Sequence, residues 1–246
     1  MRSFPVGLKR PAAGSPLMRT AVAGAVACAA IVGGLSACSS GGSGDPLGGM
    51  DANQITMKAF SDLNTASSVH VTGPSNGGGT DYNLDVTLSK SDCQGTYATA
   101  SKGTFHVLTL NGTTYFSANQ LYWKSTGATG SNLSLLTSHY IKVGPNSQTL
   151  AALNTLCHPS QLAKSFTGQV SGMIDRGWTT INGQKVMHIT DSGDASGIYV
   201  SDSATPEVIR LNSGSSLDLV FSDYNSPLNL TAPPASQVLD GKKMGF

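Results

Sequence analysis

The stretch Asp81-Tyr82-Asn83-Leu84-Asp85-Val86-Thr87-Leu88-Ser89 decides the fold class. Tyr82, Leu84, Val86 and Leu88 alternate with Asn83, Asp85 and Thr87, which is the period of a strand with one dry and one wet face. Downstream, Gln94 to Ala100, Thr104 to Leu110 and Thr113 to Ser117 read as further strands. The last two flank Asn111-Gly112, a dipeptide suited to the positive φ values of a type I′ hairpin turn. Leu121 to Lys124 is expected to continue the meander. Upstream, Ser68 to Thr72 reads as a strand. Before it, Asp51 is an N-cap for a helix that places Ile55, Ala59, Phe60 and Leu63 on one face.

Between about positions 130 and 168 the rhythm changes. Leu133, Leu135 and Leu136, then Leu150, Leu153 and Leu156, then Leu162 and Phe166 recur at helical spacing, and Pro159 opens a new turn. Two or three short helices are expected there. Strands resume with Met173 to Ile181 and Lys185 to Thr190 around a second hairpin signal, Asn182-Gly183. Gly197 to Ser201, Pro206 to Leu211, Leu217 to Tyr224 and Leu228 to Thr231 follow. The pattern predicts an α+β domain: a large curved antiparallel sheet with a few helices on one face.

Composition agrees. With 29 Gly and 13 of the 14 acids being Asp, the chain is turn-rich and poor in helix formers, which excludes coiled coils and helical bundles. Arg2, Lys9, Arg10 and Arg19 precede the first apolar run, so the remaining chain is slightly acidic and offers no basic face for nucleic acid.

Ala21 to Leu35 is apolar, uncharged and too short for a membrane span of about 20 residues, so it reads as a signal-peptide core. It ends in Leu35-Ser36-Ala37-Cys38, which resembles the lipobox of bacterial lipoproteins. That resemblance implies removal of residues 1–37 and diacylglycerol on Cys38; an ordinary secretory signal that happens to contain a Cys is the alternative. Two acyl chains hold a protein stably on a membrane where one is marginal. Ser39 to Gly49 is Gly/Ser-rich and reads as a flexible tether, making 38–49 the anchor and 50–246 a single domain on the extracytoplasmic face of the cell membrane.

The lipobox, the tether, the leading helix, the strand Ser68-Val69-His70-Val71-Thr72-Gly73 and the closing segments Thr179 to Val186, Leu219 to Tyr224 and Thr231-Ala232-Pro233-Pro234 together resemble the actinobacterial LppX/LprG-like lipoproteins, and more distantly the LolA and LolB carriers. The resemblance implies an incomplete antiparallel barrel closed by helices on its concave side. It implies an apolar cavity for lipid acyl chains, and binding or carriage of lipid without covalent chemistry. It transfers no cofactor and no catalytic residue.

Tyr82, Leu84, Val86, Leu88, Val107, Phe116, Leu219 and Phe221 are the candidates for ligand contact, and Leu108, Leu110, Ile198, Val200 and Leu217 join them as candidates for the covered face. By periodicity alone, the same residues suit a filled core, and then the protein would be an interaction module for an envelope protein partner. Cys93 and Cys157 are expected to pair outside the cytoplasm, a pairing worth about 4 kcal/mol by loop closure. Cys157-His158 as nucleophile and base, or as part of a metal site, is the alternative; neighbouring helix residues point about 100° apart, which disfavours it. His70, His106 and His188 lie on different strands. No nucleophile-base, zinc, phosphate-loop or dinucleotide motif occurs in the sequence, so no enzyme activity is expected.

Overall fold

The helix from Asp51 forms as its sequence dictates. Helix α1 (Ala52–Thr65) is closed by a capping box: the Gln54 N–H donates to Asp51 Oδ1 (2.8 Å) and the Asp51 N–H donates to Gln54 Oε1 (2.9 Å). Ile55, Ala59, Phe60 and Leu63 are buried along one side. The computed structural model describes residues 45–77, 80–143, 157–167, 170–193 and 196–244. The signal segment, Cys38 and the Leu150 to Leu156 repeat lie outside these residues.

Strands β1 (Ser68–Gly77), β2 (Thr80–Ser89), β3 (Cys93–Thr99), β4 (Gly103–Leu110) and β5 (Thr113–Ala118) come first, followed by α2 (Gln120–Ser125), α3 (Gly130–Thr137) and β6 (Tyr140–Val143). Then come α4 (Pro159–Thr167), β7 (Ile174–Ile181), β8 (Gln184–Thr190), β9 (Ser196–Ser201), β10 (Val208–Ser213), β11 (Leu217–Ser222) and β12 (Val238–Asp240). Among the described residues they make one twelve-stranded sheet, open at both ends, in the order β12-β6-β5-β4-β3-β2-β1-β11-β10-β9-β8-β7. Every pair is antiparallel except β12 with β6. Two meanders therefore meet at the β1–β11 seam, where Val71 pairs with Phe221.

Both hairpin signals hold: Asn111 and Gly112 have φ of 50° and 72°, and Asn182 and Gly183 have 51° and 82°. At the seam Gly73 adopts φ 131°, and a Cβ there would stand 2.0 Å from the Asp218 carbonyl oxygen, so only glycine lets β11 approach. Pro74 follows it inside a central strand, where its missing N–H removes a ladder bond.

Four expectations are corrected. Leu121 to Lys124 is helix, not strand: Asn119 caps it by accepting from the Tyr122 N–H (2.9 Å), and its one buried side chain is Trp123. The predicted helical insertion is broken by the short strand β6. Leu228 to Thr231 makes no strand. The chain from Asp223 to Pro234 instead crosses the uncovered face of the sheet, with Thr231 beside Thr96, His106 and Tyr140, before β12 pairs at the far edge. Finally, Leu108 and Leu110 face away from the helices, because Phe105, Val107 and Thr109 take the buried parity of β4.

Candidate functional site

The helices and one face of the sheet share a single buried cluster. In the β2–β5 part of that face the filling is aromatic. Tyr97 stacks on Phe105 (4.8 Å between ring centroids), Phe105 leans on Phe116 (5.5 Å), Tyr122 of α2 reaches both, and Trp123 meets Phe116 edge-on (5.6 Å). Burial pushes the Tyr97 hydroxyl up to about 12, so it stays neutral. Gly95 leaves room here, since a Cβ on it would stand 2.4 Å from Val86 Cγ1.

The candidate ligand residues come together on this covered face. Val86, Leu88, Val107, Phe116, Leu219 and Phe221 are buried in the cluster, and Tyr82 and Leu84 pack against it half-buried. Ile198, Val200 and Leu217 lie on the same face.

Across the seam, α1 packs on β7, β9 and β10, and α4 packs on α1. Phe60 and Phe166 stack between the two helices at 5.8 Å, and Asn53 Oδ1 accepts from the Met173 N–H (3.1 Å), tying the start of β7 to α1. An apolar opening of about 90 Å³ remains beneath them, lined by Phe60, Phe166, Val170, Met173, Ile198 and Leu211, with Thr56, Asp191 and Ser196 as its polar members. Thr56 is 1% exposed and its Oγ1 has no hydrogen-bond partner among the described residues. None of the eight ligand candidates lines this opening. The helix pattern identified Phe60 and Phe166 as inward-facing, but nothing in the sequence separates residues that leave a gap from residues that close one.

Cys93 and Cys157 are disulfide-bonded, with 5.3 Å between their Cα atoms, and the bond ties the start of β3 to the chain just ahead of α4. It removes the thiolate that a nucleophile at Cys157 would need; His158 Nδ1 lies 3.4 Å from the Ser89 carbonyl oxygen. The three strand histidines do not converge. His70 sits between Asp85 (2.8 Å) and Asp223 (3.4 Å), His106 bonds Thr96 (2.9 Å), and His188 stacks on Tyr199 (4.4 Å). Among the described residues no three His, Cys, Asp or Glu side chains gather as a metal site.

The uncovered face carries the charged groups of the second meander. Arg210 grips Asp218 with two hydrogen bonds of 2.7 Å, which hold that carboxyl below its ordinary range. Burial raises the pKa of Glu207, and Tyr224 beside it donates to the Val208 carbonyl (2.8 Å).

No protein-family model and no curated protein matches the sequence. Among solved structures, LprF from Mycobacterium bovis is similar with a TM-score of 0.50 at 15% identity, over 74% of this chain and 96% of that one. Lipoprotein LppX from Mycobacterium tuberculosis gives a TM-score of 0.40 at 15% identity, over 73% and 98%. A conserved protein from Thermus thermophilus gives 0.35 at 13%, over 78% and 99%. This chain therefore has the fold of the mycobacterial protein LprF, the architecture that its layout in sequence implied.

Proposed function

We propose that this protein is a lipoprotein of the extracytoplasmic membrane face, acylated on Cys38 after loss of residues 1–37 and tethered by 38–49, whose domain 50–246 binds a hydrophobic ligand, a lipid. The observation that carries the reading is the apolar opening under α1 and α4 with the unpartnered Thr56 hydroxyl in its wall. A buried hydroxyl left without a partner costs about 1–3 kcal/mol, which an oxygen of a bound ligand would recover. Its 90 Å³ is far below the ~300 Å³ at which small-molecule sites begin. Ligand entry therefore requires α1 and α4 to part from β9 and β10, and the disulfide fixes the N-terminal side of α4 while its far side moves.

The test is native mass spectrometry of the mature protein purified from its own envelope, with Leu211→Trp as the plugged variant. A lipid-mass adduct beyond the anchor, present in the wild type and lost in Leu211→Trp, is the expected result. A wild-type protein that carries no such adduct and takes up no added phospholipid overturns the lipid reading.

A second reading is favoured by one specific feature: the β2–β5 part of the covered face is filled with interlocking aromatic rings. A domain filled throughout would act by binding an envelope protein partner, and crosslinking in intact cells would then identify that partner.

A further inference from the structure

The 14 acidic residues are unevenly placed: none occurs from position 93 through 174, a span that contains Lys102, Lys124, Lys142 and Lys164. Lys124 on α2 and Lys102, beside Leu121 of α2, lie on the flank of α2 and α3, whereas Lys142 has the outward parity of β6 and Lys164 sits on α4, across the seam with α1. Lys242 and Lys243 add to the same flank, because the turn Gly241–Met244 packs on β6. All six lysines are exposed. The carboxylate of this flank, Asp240, is exposed, lies in register with Lys142 and accepts from the Lys242 N–H (3.1 Å).

The apolar surface of this flank is equally uneven. Of the six large apolar side chains most exposed among the described residues, three lie here: Leu121 on α2 (47%), Leu135 on α3 (40%) and Met244 on the C-terminal turn (38%). Leu135 and Met244 border one cleft whose floor is Trp123 and Leu136, and Leu121 sits against the Gly103 turn beside Lys102. Exposed apolar tips beside lysines that outnumber the neighbouring carboxylate, Asp240, match a surface of anionic headgroups over acyl chains.

We propose that the face formed by α2, α3 and the C-terminal turn docks onto a bilayer rich in anionic lipid. The inference rests on the anchoring part of the proposed function. The seven residues from Cys38 to Gly44 reach no further than about 25 Å, so the anchor keeps the domain at high effective concentration near the membrane. The anchor confines the protein to the surface; the lysines and the three apolar tips choose which side faces it.

The experiment is hydrogen exchange on the full lipidated protein, reconstituted in vesicles of phosphatidylcholine alone or of an equal mixture with phosphatidylglycerol. The acyl mass on Cys38 is read from the same sample, so a failure of anchoring is told apart from a failure of docking. Slower exchange in 120–137 and 241–244 on the mixed vesicles is expected, reversed at high salt. Lys124→Glu, Lys242→Glu and Lys243→Glu, each exposed and remote from the core, are each expected to lower the docked-to-free ratio by about fivefold. Leu135→Ser is expected to weaken docking on mixed vesicles without removing its salt dependence. Equal exchange on both vesicle types in the anchored protein overturns the proposal and leaves the face to a protein partner. So does protection on mixed vesicles that survives the three Lys→Glu changes.

Discussion

Strands β3 to β5 turn Tyr97, Phe105 and Phe116 toward the helices, whereas β8 to β11 turn Met187, Ile189, Ile198, Val200 and Leu219 toward them. The first set is closed over by the rings of α2, tilted or edge-on at 5.4 to 5.6 Å. The second is covered by α1 and α4, and there the apolar opening lies. Interlocking rings fill the volume between a sheet and its cover; smaller aliphatic side chains under two helices leave a gap. Under the proposed function, one meander is the rigid wall and the other the side that opens.

The largest expected effect breaks the wall. Phe105→Ala, at the centre of the aromatic cluster, should cost about 3–5 kcal/mol in denaturant unfolding, and Phe60→Ala, beside the existing opening, should cost less while enlarging it. A larger loss at Phe60 than at Phe105 would reverse the comparison. Replacing both Cys93 and Cys157 by Ala should lower stability by about 4 kcal/mol and speed any ligand exchange, read by the same unfolding curve and by adduct lifetime. At the seam, Gly73→Ala forces a Cβ onto the Asp218 carbonyl at a positive φ, and about 1–3 kcal/mol should be lost with fraying of β11 seen by hydrogen exchange.

Thr56→Val removes the unpartnered hydroxyl and should raise stability by about 1 kcal/mol while weakening any ligand that bonds there. The smallest effect is one of pH. Burial, then the charge of Arg176, lowers the pKa of His188 below its ordinary value. The folded protein therefore binds that proton less readily than the unfolded chain. The contribution is present above the ordinary histidine range and is lost as pH falls through it to the lowered value. His188→Asn should flatten the decline of thermal stability on going below pH 6.5, and a decline identical to wild type would remove His188 as its source.

Much of this was legible locally. The two Asn-Gly hairpins, the capping box ahead of α1 and the clean alternation of β2 depend on residues a few positions apart, so the sequence carries them. Leu121 to Lys124 was not legible, because four residues are too few to show a period, and the Asn119 cap together with the slot for Trp123 makes them helix. The parity of β4 was ambiguous as well: Leu108 and Leu110 are as apolar as Val107, and the placement of Phe105 against Tyr97 on the neighbouring strand decides which set goes in. Strands β6 and β12 are short, and neither has a partner near it in sequence; they exist by pairing with each other and with β5.

By itself, then, the sequence determined the leading helix, most of the strands, the two hairpins, the α+β class and the cysteines available to pair, all of which follow from short-range stereochemistry and period. The tertiary structure alone decided where the aromatic filling and the apolar opening lie, how the two meanders join at Gly73, that Thr56 is buried without a partner among the described residues, and that Lys124, Lys242 and Lys243 share a flank with Leu121, Leu135 and Met244. Those outcomes depend on volumes and distances between residues far apart in the chain, and no local pattern encodes them.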